Sequence, residues 1–298
     1  IKAPNKYVIS NKVHTLTVKA GQTTGVTATD KEQLGAITIC KEGEVLSGWN
    51  GSNFTYEKKY LPGATFKVTA GADIYKADGT KVYNKDDVIK EAVTTGIDGK
   101  VIVTDLHLGT YVVIETGTID GYTINTTPQT VDIQYKDQTV DIQYEATSIY
   151  NTRQKGQVSV VKKDSDTENP LDGGKYTLYA ANDIKNYAGS VIVTKGTALQ
   201  TVTTGENGVA AYTVDIPIAN GYYITETQAP YAYTRNQRDT YSFNFNYLSN
   251  TTPTATFSHT FKNDRTTAKI HIYKVDKETG KAVPQGDAKL EGAVYGLY

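Results

Sequence analysis

Residues 221–236, GYYITETQAPYAYTRN, set a carboxylate inside a run that otherwise reads as a buried strand. Strand side chains alternate between faces, so Tyr222, Ile224 and Glu226 share one side. Two of the three are core-forming residues, which turns that side inward. A carboxylate there is costly unless something pairs with it. The pattern therefore makes two demands: a β-sheet protein, and a buried partner for Glu226.

The stretch is not unique. GTYVVIETGTIDGYTIN, from residue 109, matches it and puts Tyr111, Val113 and Glu115 on one face. VTTGIDGKV at 93 matches VTTGENGVA at 202. Three openings are alike: AITICKEGEVL (36–46), VSVVKKDSDTENPL (158–171) and KIHIYKVDKETGKAV (269–283). Each is a short alternating strand that ends in Lys and a polar turn, and each leads to a second strand, PGATFKVTA at 62, GGKYTLYAA at 173 and EGAVYGLY at 291–298. The closings ATDKEQLG at 28, IYNTRQKG at 149 and FKNDRTTA at 261 also match. A repeat of domain size means a tandem array. We read 1–33 as the C-terminal part of a preceding domain, 34–154 and 155–265 as complete domains, and 266–298 as the N-terminal part of a following one. On this reading the chain is a piece of something longer. The linkers TRQKG and DRTTA hold no Pro- or Ser-rich run, which predicts a semi-rigid rod.

Composition fits. The 298 residues include 23 Tyr and 26 Gly with abundant Thr and Val, residues of strands and turns. Turn signals at DGT (78), IDGK (97), GENG (205) and IANG (218) space out short strands, the pattern of an all-β sandwich. One short helix is predicted over 84–93, NKDDVIKEAV, with Asn84 as its cap. TVDIQYKDQTVDIQY, 130–144, reads as a hairpin about KDQ. The balance of 31 basic and 32 acidic residues gives no electrostatic case for nucleic acid or an anionic membrane. Cys40 is the only cysteine, so an internal disulfide is impossible and any covalent staple must be of another kind.

The same parity argument places Ile37, Ile39 and Lys41 on one face of a first strand, with Val158, Val160 and Lys162, and Ile270, Ile272 and Lys274, as counterparts. On the last strands it groups Ile149 with Asn151, Phe257 and Phe261 with Asn263, and Val26 and Ala28 with Asp30. Eleven residues separate Asp30 from Lys41, Asn151 from Lys162 and Asn263 from Lys274. Taken singly, each is read as a snorkelling lysine, a surface ion pair or a turn cap. Recurring together, they point to an intramolecular isopeptide bond. Burial disfavours a charged lysine and frees a nucleophilic amine. A buried protonated Glu donates to the amide oxygen, stabilises the developing oxyanion and relays protons to departing ammonia. Folding supplies the near-attack geometry, in place of a separate enzyme.

These residues resemble the Cna B-type domains (collagen-adhesin B-repeat, SpaA-like pilin) of Gram-positive surface proteins. KKDSDTENPLDGGKYTLYAANDI, from residue 162, is similar to that family's opening and YYITETQAPYAY, from 222, to its E-box. The resemblance covers nearly the whole chain. It implies tandem prealbumin-like or immunoglobulin-like β-sandwiches whose first and last strands are joined by Lys and Asn. Carried over, it gives Lys162, Asn263 and the promoting Glu226 in one domain and Lys41, Asn151 and Glu115 in the other. Asp30 and Lys274 stay unpaired because their domains are cropped. The first domain departs in ETGTIDGY, which lacks the Ala-Pro of ETQAPYAY, and in LSGWNGSNFTYEKKYLPG, which lengthens its first hairpin. The implied role is an extracellular, cell-wall-attached stalk of an adhesin or pilin, with no cofactor or metal and no enzymatic activity beyond the single-turnover bond.

A competing reading makes the lengthened hairpin an adhesive surface for host matrix protein or glycan, with Trp49, Tyr56 and Tyr60 as an aromatic platform, against simple packing over the sheet. The histidines His14, His107, His259 and His271 show no metal-ligand spacing, and His259, on the face of Asn263, reads as a core residue. DSDTEN, 164–169, lacks the Gly and distal Glu of a calcium loop and reads as a turn.

Overall fold

The computed structural model describes residues 2–287 and 289–297, and those residues form strands and turns with no helix. Two sandwiches follow one another along the chain. The first contains β1 (Leu34–Trp49), β2 (Phe54–Tyr60), β3 (Thr65–Ala70), β4 (Val88–Thr94), β5 (Lys100–Leu106), β6 (Gly109–Gly117), β7 (Gln129–Ile133) and β8 (Ile142–Asn151). The second contains β9 (Lys155–Asp164), β10 (Lys175–Ala180), β11 (Ala198–Thr203), β12 (Val209–Ala211), β13 (Asn220–Gln228), β14 (Thr240–Phe245) and β15 (Thr254–Arg265). One sheet of the first runs β7-β6-β3-β4, and the other pairs β1 with β8, β2 and β5. In the second, β11-β10-β13-β14 faces β12-β9-β15.

Alternation explains the layering. Ile37, Ile39, Phe66, Val68, Tyr111, Val113 and Ile149 fill the first core, and Val158, Val160, Tyr176, Leu178, Tyr222, Ile224 and Phe261 the second. In each sandwich the first strand lies parallel to the last, β1 to β8 and β9 to β15. That pairing fixes register. Lys41 lies opposite Ile149 and Lys162 opposite Phe261, so each closing Asn stands two positions beyond the lysine's partner, on the same inward face. The repeated VTTG also has a physical cause. Its second threonine, Thr95 or Thr204, donates through Oγ1 to the carbonyl of Leu61 or Leu171 and accepts from the amide of Ala64 or Gly174, tying the start of β3 or β10. Gly208, at φ +72°, accepts from the Lys162 amide at 2.7 Å, and a Cβ there would lie 2.5 Å from the Lys162 carbonyl.

Three local expectations are corrected. Residues 84–93 are a turn and the edge strand β4, not a helix capped by Asn84. Asp87 accepts the Asn84 amide, Asp86 takes a left-handed φ of 71°, and β-branched Val88 then pairs with Thr69 of β3. Residues 130–144 are not a hairpin. The first TVDIQY pairs with β6 and buries Val131 and Ile133, whereas the second joins the opposite sheet beside β1 and leaves Ile142 and Tyr144 exposed. Identical sequence thus serves two sheets, and 134–141 crosses between them. Finally, the described residues of 9–30 and 266–297 contain no strand, so Ile270, Ile272, Val26 and Ala28 are exposed, not core. Parity fixes a face only where a neighbouring strand exists, and neither segment has one among the described residues. Tyr298, the end of the expected strand 291–298, lies outside the described residues.

β1 is unusually long. Its first half belongs to the first core, while its second half and β2 form a hairpin that reaches over the second sandwich, where Phe54 is buried in the second core and Trp49 and Tyr56 pack beside it.

Candidate functional site

Each sandwich brings one lysine, one glutamate and one asparagine together inside its core. Lys41 and Lys162 are fully buried, and Glu115, Glu226, Asn151 and Asn263 are nearly so. The lysine and asparagine come from the paired first and last strands. The glutamate crosses the core from the opposite sheet, on β6 or β13.

In the first sandwich Lys41 Nζ lies 3.3 Å from Glu115 Oε2 and donates to the Ile149 carbonyl at 3.2 Å. Asn151 Nδ2 donates to Glu115 Oε1 at 2.8 Å and to Thr118 Oγ1 at 2.6 Å. The Asn125 amide holds Glu115 Oε2 at 2.9 Å. In the second, Glu226 Oε1 accepts from Asn263 Nδ2 at 2.8 Å and from the Tyr176 hydroxyl at 3.0 Å, with Lys162 Nζ at 3.4 Å. Glu226 Oε2 accepts from Asn263 Nδ2 at 3.0 Å. Lys162 Nζ, Asn151 Oδ1 and Asn263 Oδ1 are buried without a hydrogen-bond partner.

Burial loosens the hold of both lysines on their protons. Burial pulls Lys41 down to about 8, opposed by the charge and hydrogen bond of Glu115. Burial lowers Lys162 as well, against Glu226. Each site therefore holds a lysine whose charged form is disfavoured by burial, a carboxyl group near both the lysine and the asparagine, and an amide whose oxygen is free to accept.

Asp30 and Lys274 join no such site. Asp30 Oδ1 accepts the Ser10 amide at 3.0 Å, and Lys274 is exposed. The sequence reading missed Tyr176, Thr118 and the Asn125 amide. Tyr176 had a signal, since it shares the inward face with Leu178 and stands opposite Glu226 in register. His259 is half-buried at the sandwich edge, stacked on Tyr241 and 3.3 Å from Asp239, and not a core residue. DSDTEN is a closed turn: Asp164 accepts the amides of Asp166 and Thr167, the Tyr233 hydroxyl and Arg265 Nε. No cluster of metal-ligating side chains occurs among the described residues.

The aromatic platform is dismantled by the fold. Tyr56 donates to the Asp215 carbonyl of the second sandwich and stacks under the Arg153 guanidinium, 3.6 Å from the ring centre, while Arg153 pairs with Glu44 and Asp215. Only Tyr60 stays open, with Lys100 over its ring.

The SpaA prealbumin-like fold domain matches twice, over residues 55–148 and 156–260, about two thirds of the chain. The chain belongs to this family. Among solved structures, the Bacillus anthracis TIE protein is similar at 21% identity and a TM-score of 0.53, over 79% of this chain and 35% of that longer one. This chain thus spans about a third of that relative. Shaft pilin SpaA from Lactobacillus rhamnosus GG is similar at 13% identity and a TM-score of 0.29, over 80% of this chain and all of that one. The Bacillus cereus major pilin subunit BcpA follows at 15% and 0.26, over 78% of this chain and 100% of its own. Among curated proteins none matches. Tandem SpaA-type sandwiches account for the sheet pairing described above.

Proposed function

We propose that this chain is a load-bearing stretch of an extracellular stalk on a Gram-positive cell wall, in which 34–154 and 155–265 are two domains, each closed by one self-made Lys–Asn isopeptide bond. The observation that carries this reading is the duplicated buried triad, Lys41–Glu115–Asn151 and Lys162–Glu226–Asn263, with unpartnered amide oxygens in both copies. Two tandem copies of the SpaA prealbumin-like fold domain are consistent with a stalk. Two of the three rings of the proposed adhesive platform face the second sandwich, which leaves ligand binding by the hairpin without comparable support.

The chemistry balances within each triad. Half a turn of the asparagine carboxamide sets Oδ1 where Nδ2 now meets the glutamate. The glutamate, carrying the proton given up by the lysine ammonium, donates to that oxygen while neutral Nζ attacks Cγ. Collapse of the tetrahedral adduct breaks the Cγ–Nδ2 bond, and the protons shed by Nζ pass through the carboxyl group to the leaving nitrogen. One secondary amide forms and one ammonia departs per domain. Nothing turns over again.

Intact mass tests the reading. The chain will be lighter than its sequence by two ammonia masses. Glu115→Ala and Glu226→Ala will each restore one, and the double variant both. A wild-type mass equal to the sequence mass rules the bonds out.

A further inference from the structure

Two buried glutamines outside the triads, Gln33 and Gln154, sit between successive units and make the same bonds. Gln154 follows Asn151 by three residues, as Gln33 follows Asp30. Gln33 Nε2 donates to the carbonyls of Asp137 and Val140 at 2.9 and 2.6 Å, and its Oε1 accepts the Lys136 amide at 2.9 Å. Gln154 Nε2 donates to the carbonyls of Ser249 and Thr252 at 3.1 and 2.5 Å, and its Oε1 accepts the Leu248 amide at 3.2 Å. Both loops lie just before the last strand of the sandwich that follows the glutamine.

The backbone of each glutamine is tied the other way. The Gln33 amide donates to the Lys6 carbonyl and the Gln154 amide to that of Gly121. Both acceptors are left-handed, at φ 71° and 94°. Around this centre, Ile9 donates to the Gln138 carbonyl and Ile124 to that of Asn250, both at 2.9 Å. A third position separates the two halves of the arrangement. The Thr266 amide donates to the carbonyl of left-handed Ala232, yet Thr266 carries no carboxamide. The backbone pair therefore does not need glutamine, and all three side-chain bonds go to the next unit.

We propose that this glutamine is the recognition element of the unit-to-unit interface. The partner it fits is the loop before the last strand of a following unit, which offers two convergent carbonyls and one amide. A carboxamide satisfies all three. A carboxylate of the same shape sets oxygen against both carbonyls, and a short side chain reaches none. Buried at 0 and 1% exposure, the carboxamide is shielded from competing water.

The test is amide hydrogen exchange on the whole chain carrying Gln154→Ala or Gln154→Glu. The amide read is that of Ile124, which bonds across the junction to the Asn250 carbonyl but does not touch the Gln154 side chain. Exchange there is expected to quicken on the order of tenfold, more for Glu than for Ala, while amides of β6 and β13 keep wild-type rates. An unchanged rate at Ile124 in both variants overturns the proposal. So does an equal loss of protection throughout β13, which would make Gln154 an ordinary core residue. Arg153→Ala serves as the comparison: if it alone opens the junction, the ion cluster and not the glutamine holds the units.

Discussion

A lysine nitrogen buried without a hydrogen bond, as at Lys162, is poorly placed as a permanent feature and well placed as a reactant. The two copies orient their glutamates differently. The second uses the Tyr176 phenol, buried and with its ionisation pushed far up by desolvation, so it is a pure donor to Glu226 at neutral pH. The first has Phe66 at that register position and uses the Asn125 amide instead. Tyr176→Phe is therefore expected to slow closure of the second domain about tenfold, equivalent to about 1.4 kcal/mol, and to leave the first unaffected. Time-resolved intact mass after cell-free synthesis reads both, and equal rates would remove Tyr176 from the mechanism. A second expectation concerns pH. In Asn151→Ala no bond can form and Lys41 remains titratable. Its folded value near 8 lies below the ordinary 10.5, so between those limits the unfolded chain binds the extra proton. The stability of the first domain will thus rise as pH climbs from about 8 toward 10.5, and urea melts that are flat across this window would contradict the burial of a neutral amine.

The β1–β2 hairpin couples the sandwiches more directly than a linker does. Phe54 is only 6% exposed, and its ring sits in the second core although its chain position belongs to the first. Truncating a buried Phe to Ala typically costs about 3–5 kcal/mol, and this site lies at a core edge, so about 3 is expected. The loss will appear in the unfolding of the second sandwich, monitored by its own amides, and a first-sandwich loss alone would show that the hairpin merely rests there. This element also marks what could and could not be read from sequence. Lys41, Glu115 and Asn151 are legible because strand parity is strict and a buried charge violates it. The hairpin's destination is not, because LSGWNGSNFTYEKKY alternates equally well whichever surface it covers. Residues 84–93 mislead for a related reason: Asn84 and Asp87 are caps in a helix and turn-formers in a loop, and only the waiting edge of β3 decides. The repeated TVDIQY is ambiguous in principle, since both copies are identical and differ only in the sheet that receives them.

A cross-link between parallel first and last strands changes how the molecule carries force. Tension applied to the chain ends would enter each sandwich at β1 or β9 and leave from β8 or β15, the very strands that the proposed bonds join. With both bonds present, load bypasses the sheets between them, and only the short connections from Asn151 to Lys162 and beyond can lengthen. The junction glutamines would then govern how freely successive units bend, a property separate from how far they extend. Lys162→Ala breaks one bypass and leaves the other. Pulling that variant from its ends is expected to release the roughly 100 residues between the bonded positions of the second sandwich, a gain of roughly 330 to 360 Å at about 3.3–3.6 Å per residue, less the folded separation. The first sandwich in the same molecule stays inextensible and serves as an internal control. Two unfolding steps in the wild type would mean that neither bond carries load. A variant trace with no step would mean that the hydrogen-bonded sheets resist as well as the covalent link, and the mechanical role of the bond would fall even if its mass signature were present.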